Sequence, residues 1–121
     1  MATVMIVDDS LFMRNHLAKL LSKNGYETVV AHDGEHAVRT YRRTNPDVVL
    51  MDITMPKKDG LQALTEIREF DLKAKVIMLT AVDQELAVTR AIHLGARDFL
   101  TKPIPPYQLV AALQKVLERR H

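Results

Sequence analysis

The sequence predicts an α/β domain built on an open, parallel β-sheet. Five short apolar segments alternate along the chain with five segments of helical periodicity, a pattern typical of strand–helix–strand units. The first, third and fourth apolar segments contain no regular polar positions, as expected of strands that are covered on both faces. The 121 residues suit one such domain. A closed eight-stranded barrel needs roughly twice that length.

The first half of the chain contains three predicted strands and two predicted helices. The strands are residues 3–7, 27–31 and 47–52, and the helices are residues 14–25 and 34–43. In the first helix, Leu17 and Leu21 share one face, and Gly25 is a stop signal. The second helix ends before Pro46, because the residue that precedes a proline avoids the helical region.

The second half of the chain repeats this scheme. Its predicted strands are residues 75–80 and 97–101, and its predicted helices are residues 61–70, 84–95 and 105–120. Gly95 stops the fourth helix, and Pro106 lies in the first turn of the last one, where its missing N–H costs little. Leu109 and Leu113 point inward from that helix. Residues 1–121 are therefore predicted to form a single domain.

Composition and charge argue against several classes of protein. The net charge of +2 is too small to indicate direct binding of nucleic acid or of an anionic membrane. The basic pairs Arg42–Arg43, Lys57–Lys58 and Arg119–Arg120 are interpreted as solvated surface. The absence of cysteine excludes disulfides and thiolate metal sites. Since no apolar run approaches the roughly 18 residues that span a bilayer, we expect a cytoplasmic protein without membrane insertion.

Charged and hydroxyl side chains stand at the carboxyl ends of four of the five predicted strands. Asp8 and Asp9 follow the first strand, and Asp52 ends the third. Thr80 ends the fourth strand, and Lys102 follows the fifth. In an open parallel sheet these ends lie along one edge, which is where ligands bind. Three carboxylates, one hydroxyl and one ammonium group are therefore predicted to converge.

Carboxylates that converge repel one another unless a cation joins them. A hard divalent ion such as Mg²⁺ suits a site made of carboxylate oxygens, and Lys102 can hold a phosphoryl oxygen. An aspartate among a metal, a lysine and a hydroxyl is a candidate nucleophile for phosphate. Taken singly, Asp8, Asp9 or Thr80 would be interpreted as a helix N-cap, and Lys102 as a surface lysine. Their convergence at one edge favours the functional interpretation.

These residues belong to a set of motifs that covers essentially the whole chain. The motifs are Asp8-Asp9-Ser10, MDITMP with Asp52, Asp59-Gly60, LTA with Thr80, and DFLTKP with Phe99, Lys102 and Pro103. With this set the sequence resembles a response-regulator receiver domain of the CheY-like family of two-component signalling. The resemblance implies a flavodoxin-like (βα)5 fold, doubly wound, with a parallel sheet of strand order 2-1-3-4-5.

The resemblance also implies a role for each residue at the acidic edge. Asp52 is similar to the aspartate that accepts a phosphoryl group. Asp9 resembles the direct ligand of Mg²⁺, Asp8 resembles a ligand that acts partly through water, and the backbone carbonyl of Thr54 would be the third protein ligand. Lys102 would contact the phosphoryl group.

A second set of residues resembles the conformational switch of the family. Thr80 resembles the hydroxyl that moves to the phosphoryl group, and Phe99 resembles the aromatic residue whose rotamer follows that movement. Because the Phe99 ring has no hydroxyl, we expect burial to favour its inward position by ~1–2 kcal/mol. The Lys102–Pro103 bond would be cis, a conformation that essentially requires proline.

Two positions depart from the family pattern. Thr54 lies two residues after Asp52, and Val82 lies two residues after Thr80. In the family these positions tune the rate at which the aspartyl phosphate hydrolyses. Val82 cannot orient a water molecule by hydrogen bonding, whereas Thr54 can do so weakly.

The function that the resemblance implies is a phosphorylation-controlled switch. A sensor histidine kinase, a phosphotransfer protein or a small phosphodonor would supply the phosphoryl group. The domain would catalyse only its own phosphorylation and dephosphorylation. A downstream protein would bind through the fourth helix, fifth strand and fifth helix. The segment DDSLFMR favours a chemotaxis-type, stand-alone regulator, and the alternative is the N-terminal receiver of a longer regulator, for example a DNA-binding one.

Two other classes of protein are compatible with parts of the pattern. A phosphatase similar to the haloacid dehalogenases would need Asp-x-Asp around its nucleophile and a cap insertion, whereas this chain has Asp52-Ile53-Thr54 and no insertion long enough. A flavin or nucleotide carrier would need a loop rich in glycine or hydroxyl residues after the first strand. Asp8 and Asp9 stand in that loop and would repel phosphate without a metal.

Overall fold

The computed structural model describes residues 1–81 and 83–118 and contains five strands that alternate with five helices. The strands are β1 (Thr3–Val7), β2 (Glu27–Ala31), β3 (Val48–Asp52), β4 (Val76–Thr80) and β5 (Asp98–Thr101). The helices are α1 (Leu11–Lys23), α2 (Gly34–Thr44), α3 (Gly60–Phe70), α4 (Glu85–His93) and α5 (Pro106–Leu117). The expectations for Val82 and for the pair Arg119–Arg120 lie outside the described residues.

The five strands form one parallel sheet in the order β2-β1-β3-β4-β5. This order confirms the flavodoxin-like fold class. Val4 of β1 pairs with Thr28 on one side and with Val48 on the other, so β1 lies inside the sheet. Because every pairing is parallel, the carboxyl ends of all five strands lie along the same edge.

Two apolar cores cover the two faces of the sheet. Alternate residues of β1 enter different cores, with Met5 on one face and Ile6 on the other. The core around Met5 contains residues of α2, α3 and α4, and the core around Ile6 contains residues of α1 and α5. All residues of β3 and β4 are buried, which explains why these strands are apolar without alternation.

The outer strands β2 and β5 are less buried than the central ones. Val30 of β2 and Phe99 of β5 are each 43% exposed. In β5 the exposed and half-buried residues alternate, as expected of an edge strand that has one covered face. The apolar content of β5 is therefore lower than that of the central strands.

The helix ends differ from the sequence-based expectations mainly at α1. This helix begins at Leu11, three residues before the predicted start, because Ser10 Oγ accepts a hydrogen bond from Met13 N and caps the helix. Ser10 is therefore the N-cap, and neither the Asp8 nor the Asp9 carboxylate caps this helix.

Within the described part of the chain, no helix has the length and apolar content needed to cross a membrane.

Gly60, the first residue of α3, lies against the end of β3. A Cβ atom added to Gly60 would stand 2.2 Å from the carbonyl oxygen of Asp52 and 2.8 Å from Cα of Ile53. Gly60 N also donates a hydrogen bond to the carbonyl oxygen of Ile53, at 2.8 Å. The absence of a side chain at Gly60 therefore lets α3 approach the strand that carries Asp52.

We expect Gly60→Ala to lower the free energy of unfolding by about 2–3 kcal/mol, because the new methyl group meets backbone atoms that cannot move freely. The matched control is Gly25→Ala. At Gly25 a Cβ has open space but a φ of +87°, so only the backbone strain of about 1 kcal/mol remains. Urea denaturation of the three proteins measures both effects. Equal losses in the two variants would contradict the close approach of α3 to β3.

Candidate functional site

Three carboxylates converge where β1 and β3 end, as their position at the strand ends predicted. Asp52 is the last residue of β3, and Asp8 and Asp9 directly follow β1. Each of the three offers a carboxylate oxygen within 4.8 Å of the other two. Asp8 and Asp52 are buried, with 1% and 7% exposure, and Asp9 is exposed. The cluster therefore opens to solvent on the side of Asp9.

Lys102 brings a cation to this cluster from the segment after β5. Its Nζ lies 3.1 Å from Asp8 Oδ2 and 3.4 Å from Asp52 Oδ2. The backbone N–H of Lys102 donates to the carbonyl oxygen of Thr80 at 2.7 Å, and the following peptide bond to Pro103 is cis. The segment is thus fixed to the end of β4 at the residue whose side chain enters the site.

The charges in the cluster do not balance. Burial raises the pKa of Asp52, the ammonium group of Lys102 opposes this rise, and the charge of Asp8 adds to it. Burial acts to lower the pKa of Lys102, but Asp52 and Asp8 outweigh it and hold that pKa above its ordinary value. Three carboxylates face one ammonium group, so the ionised set has a formal charge of −2. A divalent cation fits this charge and this set of oxygen ligands.

Asp8 and Asp9 differ in how their carboxylates are engaged. Asp8 Oδ1 accepts a hydrogen bond from Ser10 N at 2.9 Å, and Asp8 Oδ2 faces Lys102. The carbonyl oxygen of Asp8 also accepts from Arg14 at 2.7 Å. Among the described residues, no side chain or backbone group donates to the carboxylate of Asp9. The carboxylate of Asp9 is therefore the one with both oxygens available to a ligand.

Thr80 ends β4, the strand next to the one that carries Asp52, and its hydroxyl contacts Ala81 and Gln84 at the start of α4. Thr80 is 2% exposed, and its Oγ1 lies 3.0 Å from the carbonyl oxygen of Ala81 and 3.2 Å from Gln84 Oε1. Thr54 is exposed, and its Oγ1 accepts a hydrogen bond from Gln84 Nε2 at 2.7 Å. Sequence reasoning missed Gln84, since a glutamine near the start of a helix carries no signal of such a role.

Phe99 is an exposed residue that lines an apolar groove. The groove has a volume of about 450 Å³ and is lined by residues of α4, β5 and the end of β4, among them Thr80, Val88 and Ile92. The expectation that burial favours an inward ring is wrong for this structure, in which Phe99 is 43% exposed. The physical reason is that Phe99 stands at an exposed position of β5, an edge strand in which half-buried and exposed residues alternate.

The fold and the site together define a flavodoxin-like domain with a cluster of three aspartates, suited to a divalent cation, at the carboxyl edge of its sheet. The model of a family described as "Response regulator receiver domain" matches residues 4–114. The chemotaxis protein CheY of Bacillus subtilis is 44% identical over 115 residues, which cover 94% of this chain and 96% of that protein. The chain belongs to the response regulator receiver domain family.

Solved structures agree with this assignment. A response regulator receiver domain protein from Clostridium thermocellum superposes with a TM-score of 0.93 at 27% identity, covering 97% of this chain and 94% of that one. CheY in the CheX–CheY–BeF3–Mg²⁺ complex from Borrelia burgdorferi superposes with a TM-score of 0.91 at 37% identity, covering 98% and 90%.

We expect Asp52→Asn to stabilise the metal-free protein, because the change removes a buried charge that Asp8 repels. At neutral pH in EDTA the melting temperature should rise by about 3–6 °C, which corresponds to ~1 kcal/mol for a domain of this size. Glu69→Gln, an exposed change on α3, is the control and should have no effect. A lower melting temperature for Asp52→Asn would contradict the unfavourable burial of this charge.

The pH dependence of this gain follows from the sign of the shift. The pKa of Asp52 is higher in the folded protein than in the unfolded chain, so ionisation costs the folded state more. The cost is absent below the unfolded pKa, grows as the pH rises between the two values, and is complete above the folded pKa. The advantage of Asp52→Asn should therefore vanish in acid. An advantage that stayed constant down to strongly acidic pH would have another cause.

Proposed function

We propose that this protein is a phosphorylation-controlled regulator of a two-component system, in which Asp52 accepts the phosphoryl group. The observation that carries the proposal is the placement of Asp52, a buried carboxylate at the end of a central strand, between two further aspartates and Lys102. The phosphoryl donor is a histidine kinase, a phosphotransfer protein or a small acyl phosphate.

The chemistry assigned to the chain is one displacement at phosphorus. A carboxylate oxygen of Asp52 attacks the phosphorus atom, an O–P bond forms, and the bond to the leaving group breaks, with its electron pair departing on that group. Lys102, whose Nζ already lies 3.4 Å from Asp52 Oδ2, is close enough to contact an oxygen of the transferred group. The domain is then the substrate and the catalyst of the same reaction, not an enzyme that acts on other molecules.

The acidic cluster would provide the ligands for Mg²⁺. Asp9 would bind the ion directly, Asp8 would act partly through water, and Asp52 and the backbone carbonyl of Thr54 would complete the protein ligands. When bound, the ion offsets the charge that gathers on the phosphoryl oxygens. The free carboxylate of Asp9 and the hydrogen-bonded carboxylate of Asp8 support this division of roles.

The output is a change at the face formed by α4, β5 and α5. Thr80 is buried and near the site, so its hydroxyl can reach a phosphoryl oxygen by leaving Ala81 and Gln84. Its departure clears the side of the groove into which the ring of Phe99 then moves. The apolar lining that includes Val88 and Ile92 supports a downstream protein as the partner of this face.

The relatives favour a chemotaxis-type regulator as the particular form of this function. The chain covers nearly the full length of the Bacillus subtilis CheY, and a similar CheY occurs in a complex with CheX. We propose a partner of the same kind for this protein. The alternative, the receiver of a longer regulator, would use the same site chemistry and differ only in what the output face contacts.

The direct test is phosphorylation by acetyl phosphate. We expect one phosphoryl group per chain with Mg²⁺ present and none in EDTA, because the charge of the cluster opposes the approach of an anion. Asp52→Asn should reduce incorporation below detection, since the amide is not a nucleophile. Intact-mass spectrometry measures incorporation, and Glu69→Gln is the matched control. Incorporation into Asp52→Asn at the wild-type rate would place the nucleophile elsewhere.

The assignment of metal ligands predicts a ranking of two variants. Asp9→Ala should weaken Mg²⁺ binding by more than about tenfold, because it removes a carboxylate with both oxygens free. Asp8→Ala should weaken binding less, because the Asp8 carboxylate already accepts from Ser10 and faces Lys102. Isothermal titration with Mg²⁺ gives both affinities, with Glu69→Ala as the control. An affinity unchanged in Asp9→Ala would remove this residue from the ligand set.

A further inference from the structure

The side chain of Gln84 connects three separate parts of the site. Its Oε1 accepts from Ala81 N at 2.8 Å and lies 3.2 Å from Thr80 Oγ1. Its Nε2 donates to Thr54 Oγ1 at 2.7 Å. One amide group thus joins the end of β4, the segment before α4 and the loop that follows Asp52.

Gln84 makes these contacts from the N-cap position of α4, where a side chain normally accepts a hydrogen bond from an N–H group of its own helix. It is the N-cap residue of α4, yet its side chain caps no N–H group of that helix. Glutamine is not among the residues preferred at an N-cap, which are serine, threonine, aspartate and asparagine. The amide is therefore committed to the neighbouring loops, and the start of α4 is attached to the site through it.

The hydroxyl of Thr80 has a single proton, which sets up a competition. In this structure the hydroxyl lies near two acceptors, the carbonyl oxygen of Ala81 at 3.0 Å and Gln84 Oε1 at 3.2 Å. A Thr80 hydroxyl that donates to a phosphoryl oxygen cannot donate to Gln84 at the same time. The two hydrogen bonds are mutually exclusive and belong to two positions of one side chain.

We propose that Gln84 is a latch for the switch: a positioning residue that holds Thr80 in its resting place and whose release accompanies phosphorylation. This inference rests on the proposed function of Asp52. The latch stabilises the resting state, so it lowers the affinity of the site for a phosphoryl group. By reciprocity, a phosphoryl group that attracts Thr80 weakens the attachment of the start of α4, which borders the groove at Phe99.

Two substitutions of Gln84 separate the latch from a merely structural role. Gln84→Met keeps the approximate size of the side chain and removes every hydrogen bond. Gln84→Glu keeps an acceptor for Thr80 and Ala81 but cannot donate to Thr54. Gln114→Met, the same change at an exposed position of α5, is the control.

Binding of beryllofluoride, a phosphoryl mimic, with Mg²⁺ is the first measurement. Gln84→Met should bind the mimic about three- to tenfold more tightly than the wild type, the factor that one ordinary hydrogen bond supplies. Gln84→Glu should bind it less tightly, because the carboxylate holds Thr80 more strongly and repels the anion. Wild-type or weaker binding by Gln84→Met would overturn the latch, and a structural role would weaken binding in both variants.

The second measurement needs no phosphoryl chemistry. In the metal-free protein, three-bond scalar couplings of Thr80 report its side-chain rotamer. We expect one rotamer in the wild type, in Gln84→Glu and in Gln114→Met, and averaging between rotamers in Gln84→Met. Wild-type couplings in Gln84→Met would overturn the latch even if Asp52 is phosphorylated normally. Failure of the wild type to bind beryllofluoride would refute the proposed function, and the couplings would then decide on the latch by themselves.

Discussion

The repulsion among the three carboxylates at the end of β1 and β3 is the constraint on which the rest of the site depends. Asp52 ends a strand whose every residue is buried, and Asp8 lies beside it almost without solvent contact. Two features make this arrangement tolerable. Lys102 contacts both carboxylates, and the exposed carboxylate of Asp9 leaves one side open to a cation. In a flexible loop these like charges would move apart. The rigid central strands hold them close together.

Much of the fold could be predicted from the sequence, because it depends on long-range rules with strong local signals. Apolar runs without alternation marked β1, β3 and β4, and the convergence of the carboxyl ends of parallel strands placed Asp8, Asp52 and Lys102 together. The start of α1 was missed because the capping signal of Ser10 stands beside two aspartates, which compete with it for the same interpretation. Which of several neighbouring polar residues caps a helix depends on backbone geometry, and residue types alone do not specify that geometry.

The contacts of Thr80 and the exposure of Phe99 could not be predicted, since both depend on how individual side chains are oriented in three dimensions. Residue type alone suggested that an apolar ring should be buried at Phe99. In the structure Phe99 stands at an exposed position of the edge strand β5, beside a groove that Thr80 also lines. The hydroxyl of Thr80 in turn lies 3.2 Å from Gln84 Oε1. Single side-chain contacts of this kind leave no periodic trace in a sequence, whereas strands and helices do.

The supply of hydrogen-bond donors explains why phosphorylation should move Thr80 rather than another group. A phosphoryl group on Asp52 adds oxygens and negative charge to a site that already has a surplus of both. Lys102 is one available donor, but it is shared with Asp8. The Thr80 hydroxyl is a nearby donor whose present acceptors are neutral, namely a backbone carbonyl and an amide. A hydrogen bond to a charged phosphoryl oxygen is stronger than one to a neutral acceptor. The difference between those two bonds is the free energy available to move the switch. The strength with which Gln84 holds the hydroxyl therefore decides how much of that free energy reaches the groove at Phe99.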